Sequence, residues 1–402
     1  MNIIENIALK RKVEVSLTGA NIATFMVAAI FLPYVISIII LFGLAIYVVV
    51  NKQTRQMIFV NKNDNILKLF LAYSLIVSLS YRNWLGFATG IGIIFAVALG
   101  LYIRSIMTSE LFEKLLHLIC CFSLTSTGYA IIEKIVKTID IGGGSQRISA
   151  VFFYPNYFGT IVGTVIIICA YKVLTKQNHK WFYYMVALIN VISVYLCKSM
   201  FVWVEVFIGV AVLLIVLKRH RLLALWLFAA AIGAFLVFFF GVNIIPRLYD
   251  VDVTVRLRQN IWGLALEQIK QNPLFGHGFY SFIYLFDFSY LNQIVPHAHS
   301  LYIDMLLNFG IIGSGLFLFY IIKFFISVFK ICFAQKNVMI TSLILAVTAS
   351  ALVHGTTDIT LLWFQTLPLF LFILSGLGAY EKDRNEGNIS NKYDVNSMKN
   401  AA

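Results

Sequence analysis

Stretches of about twenty residues without one charged side chain recur along this sequence, and they restrict its fold more than any other feature. Residues 31–50 and 222–242 are two of them, each long enough to cross a bilayer as a helix. Of the 402 residues, 60% are hydrophobic and 12% charged, whereas a soluble domain carries about a quarter charged residues. The mean hydropathy is +0.86. The fold class is therefore all-α, a polytopic integral membrane protein. About 12 transmembrane helices are predicted, near 15–32, 34–50, 66–81, 85–103, 112–133, 157–174, 182–197, 200–217, 222–241, 301–322, 338–355 and 359–379. Several fall short of the roughly 20 residues that an upright helix needs, so imperfect boundaries must be assumed. The first apolar run leads into another without a small-residue cleavage site, so no cleavable signal peptide is expected.

Basic residues set the orientation. With Lys10, Arg11 and Lys12 placed in the cytoplasm, alternating segments put 22 of the 31 Lys and Arg inside and 9 outside. The net charge of +13 thus reads as topology rather than as a nucleic-acid footprint, and no nucleic-acid partner is expected. The stretch 242–300 becomes one large extracytoplasmic loop within a single membrane domain, 1–380. The polar segment 381–402 is expected to be a disordered cytoplasmic tail. The five cysteines lie in or beside apolar segments without metal-ligand spacing, as buried small hydrophobes do.

Cations outside run against the orienting bias, so they ask for another role. They are Arg82, Lys134, Lys137, Arg147, Lys198, Arg247, Arg256, Arg258 and Lys270. In "VDVTVRLRQNIWGLALEQIKQNPLFGHGFYSF", Arg258, Trp262, Leu266 and Ile269 fall at helical spacing and Pro273 ends the helix. An amphipathic helix on the outer membrane surface fits this pattern, with Trp262 at headgroup depth. Arg256 and Arg258 could there snorkel to lipid phosphates. Aromatics crowd the loop from Phe275 to Tyr290, either as an interfacial belt or as stacking surfaces for sugar rings. "VPHAHSLYIDMLLNFGIIGSG" sets His297 and His299 directly before an apolar run. His297 reads as an interfacial polar anchor; His299 is distinguished by the helix that it opens.

That stretch resembles the signature of the O-antigen ligase and Wzy-type polysaccharide polymerase family, a His, usually followed by Asn, opening a helix that ends in a Gly-rich turn. His299, Gly310 and Gly313 match, while Ser300 stands where Asn is usual. Upstream, Arg258, Trp262, Pro273, Gly276 and Gly278 fit the family's Arg, Trp, Pro and Gly-x-Gly order. "RISAVFFYPNYFG" resembles the family's Arg followed by Pro-Asn at the start of a span, supplying Arg147 and Asn156. "LCKSM" lies where the family has Ser-Arg, so Lys198 replaces an Arg, and Asp358 in "HGTTD" resembles a carboxylate near the penultimate helix. The likeness covers about 147–315, with Asp358 beyond it.

The resemblance implies inverting, metal-independent glycosyl transfer on the outer face of the cytoplasmic membrane. The donor would be an undecaprenyl-pyrophosphate-linked oligosaccharide, and the acceptor a sugar hydroxyl. No cofactor is implied. In keeping with this, the outer loops show no tight Asp/Glu/His cluster in sequence, Asp250 and Asp252 being a lone pair. Carried over residue by residue, His299 is the general base, and Arg258, Lys198 and Arg147 gather around the pyrophosphate, with Trp262, Asn156, His297 and Asp358 in support. Arg suits such a site because its planar fork donates to two phosphate oxygens at once. His277, His297 and His354 are the other outside histidines. Two outcomes share these motifs: a polymerase that joins repeat units into capsule, exopolysaccharide or O-antigen, and a ligase that moves the glycan to a lipid, wall polymer or protein. The Ile-, Lys- and Asn-rich composition fits a source without lipid A, which favours the polymerase. A flippase and a chain-length regulator are the expected pathway partners. A transporter, in its nearest form a lipid-linked glycan flippase, is the rival class. It would place ionisable groups at the midplane and show related halves, but the midspan charges here are only Glu205 and Asp304.

Overall fold

Apolar runs bounded by polar or basic residues become helices throughout. The computed structural model describes residues 19–59, 64–141, 147–175, 179–241, 245–247, 251–286, 295–334, 338–380 and 382. In chain order the helices are α1 (Gly19–Ile30), α2 (Tyr34–Val50), α3 (Lys52–Phe59), α4 (Asn65–Ser80), α5 (Trp84–Ile106), α6 (Ser109–Ile141), α7 (Pro155–Thr175) and α8 (Lys180–Cys197). They continue as α9 (Met200–Val216), α10 (His220–Phe240), α11 (Val251–Gln271), α12 (Ser281–Leu285), α13 (Leu301–Phe333), α14 (Val338–His354) and α15 (Leu367–Tyr380). No strand occurs among the described residues, so the all-α class stands. Lys10 to Lys12 and, apart from residue 382, the tail 381–402 lie outside the described residues.

The twelve expected spans are confirmed only in part. Among the described residues six helices, α5 to α8, α10 and α13, are long and apolar enough to cross a membrane, and α2 with α3, bent by 90°, would make a seventh. The other expected spans do form apolar helices, α1, α4, α9, α14 and α15, but these have only 10–17 residues. At 1.5 Å per residue, 17 residues reach about 25 Å, less than the hydrocarbon thickness. Apolar composition alone had marked them. α10 shows the membrane character most plainly. Its window of mean hydropathy 2.6 has no buried residue, and Phe238, Phe239 and Phe240 are all exposed. A helix apolar all round and uncovered by protein is stable only in lipid. α7 lies at the opposite extreme, enclosed by α8, α9 and α14.

α11 does not lie free on a membrane surface as its pattern led us to expect. Its buried residues are Ile261 and Ala265, which pack with Phe282, Val295, Ala298 and Leu307, while Leu266, assigned to the apolar stripe, is exposed. The covered face thus centres one residue earlier than the spacing indicated, and protein covers it. Two of the loop aromatics, Phe279 and Phe282, are likewise core residues rather than belt or sugar platform.

The glycine-rich end of α13 is a break rather than a stop. Gly310 has φ 60° and ψ −168°, yet the helix resumes and runs to Phe333. The turn after α11 fills the break: Ile311 and Ile312 donate their backbone N–H to the carbonyls of Pro273 and Leu274, and Gly278 donates to Asn308 at 2.7 Å. His277 is packed into this junction, its backbone N–H donating to Leu307 and Asn308. A Cβ on Gly310 would stand 2.3 Å from the Leu274 oxygen, in a backbone conformation that L residues rarely adopt. Gly310→Ala is therefore expected to lower stability by at least about 2 kcal/mol, measured as a fall in the thermal midpoint of the purified protein. An unchanged midpoint would mean that the junction is looser than described.

Candidate functional site

Loops distant in sequence converge at one end of the bundle. Arg147 follows α6, Asn156 sits in the first turn of α7, Lys198 joins α8 to α9, and Arg247 precedes α11, which carries Arg258. His299 precedes α13, His354 ends α14, and Asp358 lies just beyond it. All eight line one cavity of about 170 Å³. Three of them, Lys198 (φ 51°), Arg247 (φ 67°) and His299 (φ 50°), have left-handed backbone, a strain of about 1–3 kcal/mol each that clusters at functional sites.

The walls are tied together by side chains. Arg147 donates from Nε to the Cys197 carbonyl (3.0 Å) and from Nη2 to Asn156 Oδ1. Asn156 in turn donates to Asp358 Oδ2 at 2.6 Å. The guanidinium of Arg258 stands 5.8 Å from the centre of the Phe201 ring. On the other wall, Ala298, between the two histidines, is held at both polar atoms. Its N–H donates to Asp304 Oδ1 (2.8 Å), and its carbonyl accepts from Trp262 Nε1 (2.9 Å). Ser300 caps α13, accepting from the Ile303 N–H. Ser and Asn are both good N-cap residues, which makes physical sense of Ser300 in an Asn position.

His297 is no interfacial anchor: it is buried. Its Nδ1 accepts the His299 backbone N–H at 3.1 Å, and its Nε2 lies 3.7 Å from Asp358 Oδ1. Burial, only partly offset by Asp358, pushes its pKa down to about 3, so it is neutral near pH 7. Burial also lowers the pKa of His299, with Asp358 opposing, and its Nδ1 has no hydrogen-bond partner among the described residues. For Asp358 burial acts upward, but His297, His299 and His354 together with the Asn156 bond outweigh it and leave the carboxyl below its usual range. Burial likewise presses down on the Arg147 and Arg258 guanidiniums, against the pull of Asp358, although Arg keeps its charge in proteins.

The absence of a tight Asp/His cluster in the outer loops does not survive folding. His297, His299 and Asp358 bring ligand-capable atoms within 4.8 Å of one another, because the turn after α14 meets the loop before α13, where the Leu301 N–H donates to the Gly355 carbonyl at 2.7 Å. Much of that donor set is already engaged. Asn156 and the Ile359 N–H hold the two Asp358 oxygens, and His299 N–H takes His297 Nδ1. With Arg147, Lys198, Arg247 and Arg258 around one carboxylate, the cavity's charge favours an anion over a cation.

Of the residues expected at the site, His299, Arg258, Lys198, Arg147, Asn156 and Asp358 line the cavity directly, while His297 and Trp262 back it. Arg247 and the Glu205–His354 pair were not assigned to it. Arg247 had shown only as an outside cation, and Glu205 only as a midspan charge. Trp262→Phe, which deletes the bond to Ala298, is expected to lower kcat about tenfold, as loss of one hydrogen bond allows, and to leave donor KM nearly unchanged. A raised KM with kcat unchanged would assign Trp262 to binding instead.

An apolar cleft of about 550 Å³ lies between α4, α5 and α13 on one side and α14 and α15 on the other. It reaches Leu301, two residues from His299. Residues 185–318 match the family model described as O-antigen ligase. That stretch contains Lys198, Arg247, Arg258, Trp262, His297 and His299 and leaves out Arg147, Asn156, His354 and Asp358. No curated protein matches the chain.

Proposed function

Through that stretch the chain belongs to the O-antigen ligase family, and on that premise we propose that it polymerises undecaprenyl-pyrophosphate-linked oligosaccharide repeats into a surface polysaccharide. The observation that carries this reading is the cavity itself. Four cationic side chains, one buried carboxylate and two histidines line it, a set suited to holding a pyrophosphate and receiving a proton. The adjoining cleft offers apolar surface to a prenyl chain.

In the proposed reaction a sugar hydroxyl of the acceptor attacks the anomeric carbon of the donor from the face opposite the pyrophosphate. The new glycosidic C–O bond forms as the bond to the pyrophosphate oxygen breaks, and its electron pair leaves on that oxygen. The hydroxyl proton passes to a ring nitrogen of His299. Arg258, Arg147 and Lys198 face the charge that grows on the leaving group, in a cavity where such stabilisation is worth more than in water. His297 and Trp262 hold the loop that aims His299. Asp358 keeps the histidine pair and Asn156 in register. The positive-inside distribution supports placing this end of the bundle outside the cytoplasmic membrane, with both termini inside.

Purified protein given an undecaprenyl-pyrophosphate oligosaccharide tests the proposal. Products lengthening by whole repeat units without another acceptor are expected. Transfer only to an added lipid, wall polymer or protein would make the chain a ligase, and no transfer to any acceptor would overturn the reading. Because cationic side chains supply the neutralising charge, a chelator is expected to leave the rate unchanged. A loss restored by a divalent ion would give the His297–His299–Asp358 cluster a metal-binding role.

A further inference from the structure

One buried ionisable pair takes no part in that reaction. His354 Nδ1 lies 2.8 Å from Oε2 of Glu205, and the two residues are 2% and 1% exposed. Glu205 sits in the second turn of α9, whose preceding residues Ser199, Met200 and Phe201 line the cavity, as does His354. The pair therefore joins the bundle interior to the cavity wall. An ionised carboxylate so deep needs a countercharge, and Glu205 finds it in His354. His354 is also the last residue of α14, where the helix dipole favours a cation, and Asp358 lies one turn on, its N–H donating to the His354 carbonyl. All three features favour the imidazolium, in which both nitrogens donate. Glu205 occupies Nδ1, and among the described residues Nε2 has no hydrogen bond, so its N–H can serve a ligand in the cavity that His354 lines.

We propose that His354, held by Glu205, is a further anion-binding residue of the cavity, donating from Nε2 to a phosphate oxygen of the pyrophosphate. This rests on reading the cavity as a pyrophosphate site. It adds a donor on the wall formed by α9 and α14, whereas Arg147, Arg258 and Lys198 come from loops and from α11. Glu205 is a positioning residue that acts through the imidazole.

Calorimetric binding of inorganic pyrophosphate to the full-length protein in nanodiscs separates this proposal from the reading it rests on. His354→Asn puts an amide where Nδ1 was, so the bond to Glu205 persists and the cavity donor is lost. His354→Gln puts an amide near Nε2 instead. The asparagine variant is expected to bind pyrophosphate about tenfold more weakly, as loss of a hydrogen bond to a charged group implies, and the glutamine variant to recover part of that loss. Glu205→Gln, which keeps the hydrogen-bond geometry but removes the charge, is expected to weaken binding several-fold with the thermal midpoint nearly kept. Arg258→Ala is the reference. If it weakens binding while His354→Asn binds like the wild type, the proposal is overturned and the pyrophosphate reading stands. If the wild type binds no pyrophosphate, both fall. Should His354→Asn fail to fold, wild-type affinity in Glu205→Gln overturns the proposal in its place.

Discussion

Replacing His299 with asparagine is expected to lower kcat by 10²–10⁴-fold, the usual worth of a general base, while the donor still binds. Asparagine is the informative substitution because His299 has φ 50°, a conformation that asparagine tolerates better than most residues. Alanine would confound loss of the base with backbone strain. Donor affinity should persist, since Arg147, Lys198 and Arg258 stand on other segments. The pH profile carries a second signature. Only the neutral imidazole accepts a proton, and burial lowers the pKa of His299. Activity should therefore hold as pH falls through the ordinary histidine range and decline only below it, as the imidazole takes up its proton. In the asparagine variant that acidic limb should vanish from the residual rate. Chains elongating at the wild-type rate in His299→Asn would remove His299 from this role.

Charge bookkeeping made part of the site legible. Arg147, Lys198 and Arg258 stood out as cations on the side where the orienting bias does not place them, and all three line the cavity. What the linear pattern lacked was contact between segments. Nothing near Asp358 indicates that it meets His297, 61 positions away in sequence; the meeting depends on the Leu301–Gly355 bond and the Asn156 bridge. Arg247 carries no periodic pattern. The Glu205–His354 pair joins residues 149 apart in sequence, and either one alone looks like a stray polar group in an apolar run.

A deeper reason lies behind the shifted face of α11 and the spans that length does not confirm. Apolar periodicity reports only that a face avoids water. Lipid and protein satisfy it equally, because lipid tails are as apolar as leucine. Hence Ile261 and Ala265 could be covered by Phe282 and Leu307 rather than by headgroups with no change in the pattern. Likewise α14 is as apolar as a span yet is 17 residues long, and most of it is buried against protein. The glycines, read as a helix end, mark a break instead. Gly276, Gly278 and Gly310 all have positive φ, and their spacing encoded the junction that holds α13 broken beside the site.

Neutralising Arg258 is expected to lower kcat/KM for the lipid-linked donor by about 10²–10³-fold, the scale seen when one preorganised donor to a developing charge is removed. The guanidinium is half-buried against Phe201, facing the cavity with Asp358 as the nearby acid. Its planar fork can donate to two phosphate oxygens at once, which an ammonium cannot do. Arg258→Lys should thus restore the charge and only part of the rate. Lys198 gives the converse test. It ends α8 with φ 51°, and the resemblance to related sequences places an Arg there, so Lys198→Arg should keep activity or raise it. The division between kcat and KM then tells how the charge acts. If Arg258 binds the pyrophosphate equally before and during bond cleavage, Arg258→Ala raises KM alone. If it meets charge that appears only as the bond breaks, kcat falls with kcat/KM. The second is expected, because the leaving oxygen gains its charge in that step. An Arg258→Ala enzyme with unchanged kcat/KM would show that the cations of this cavity serve only to hold the fold.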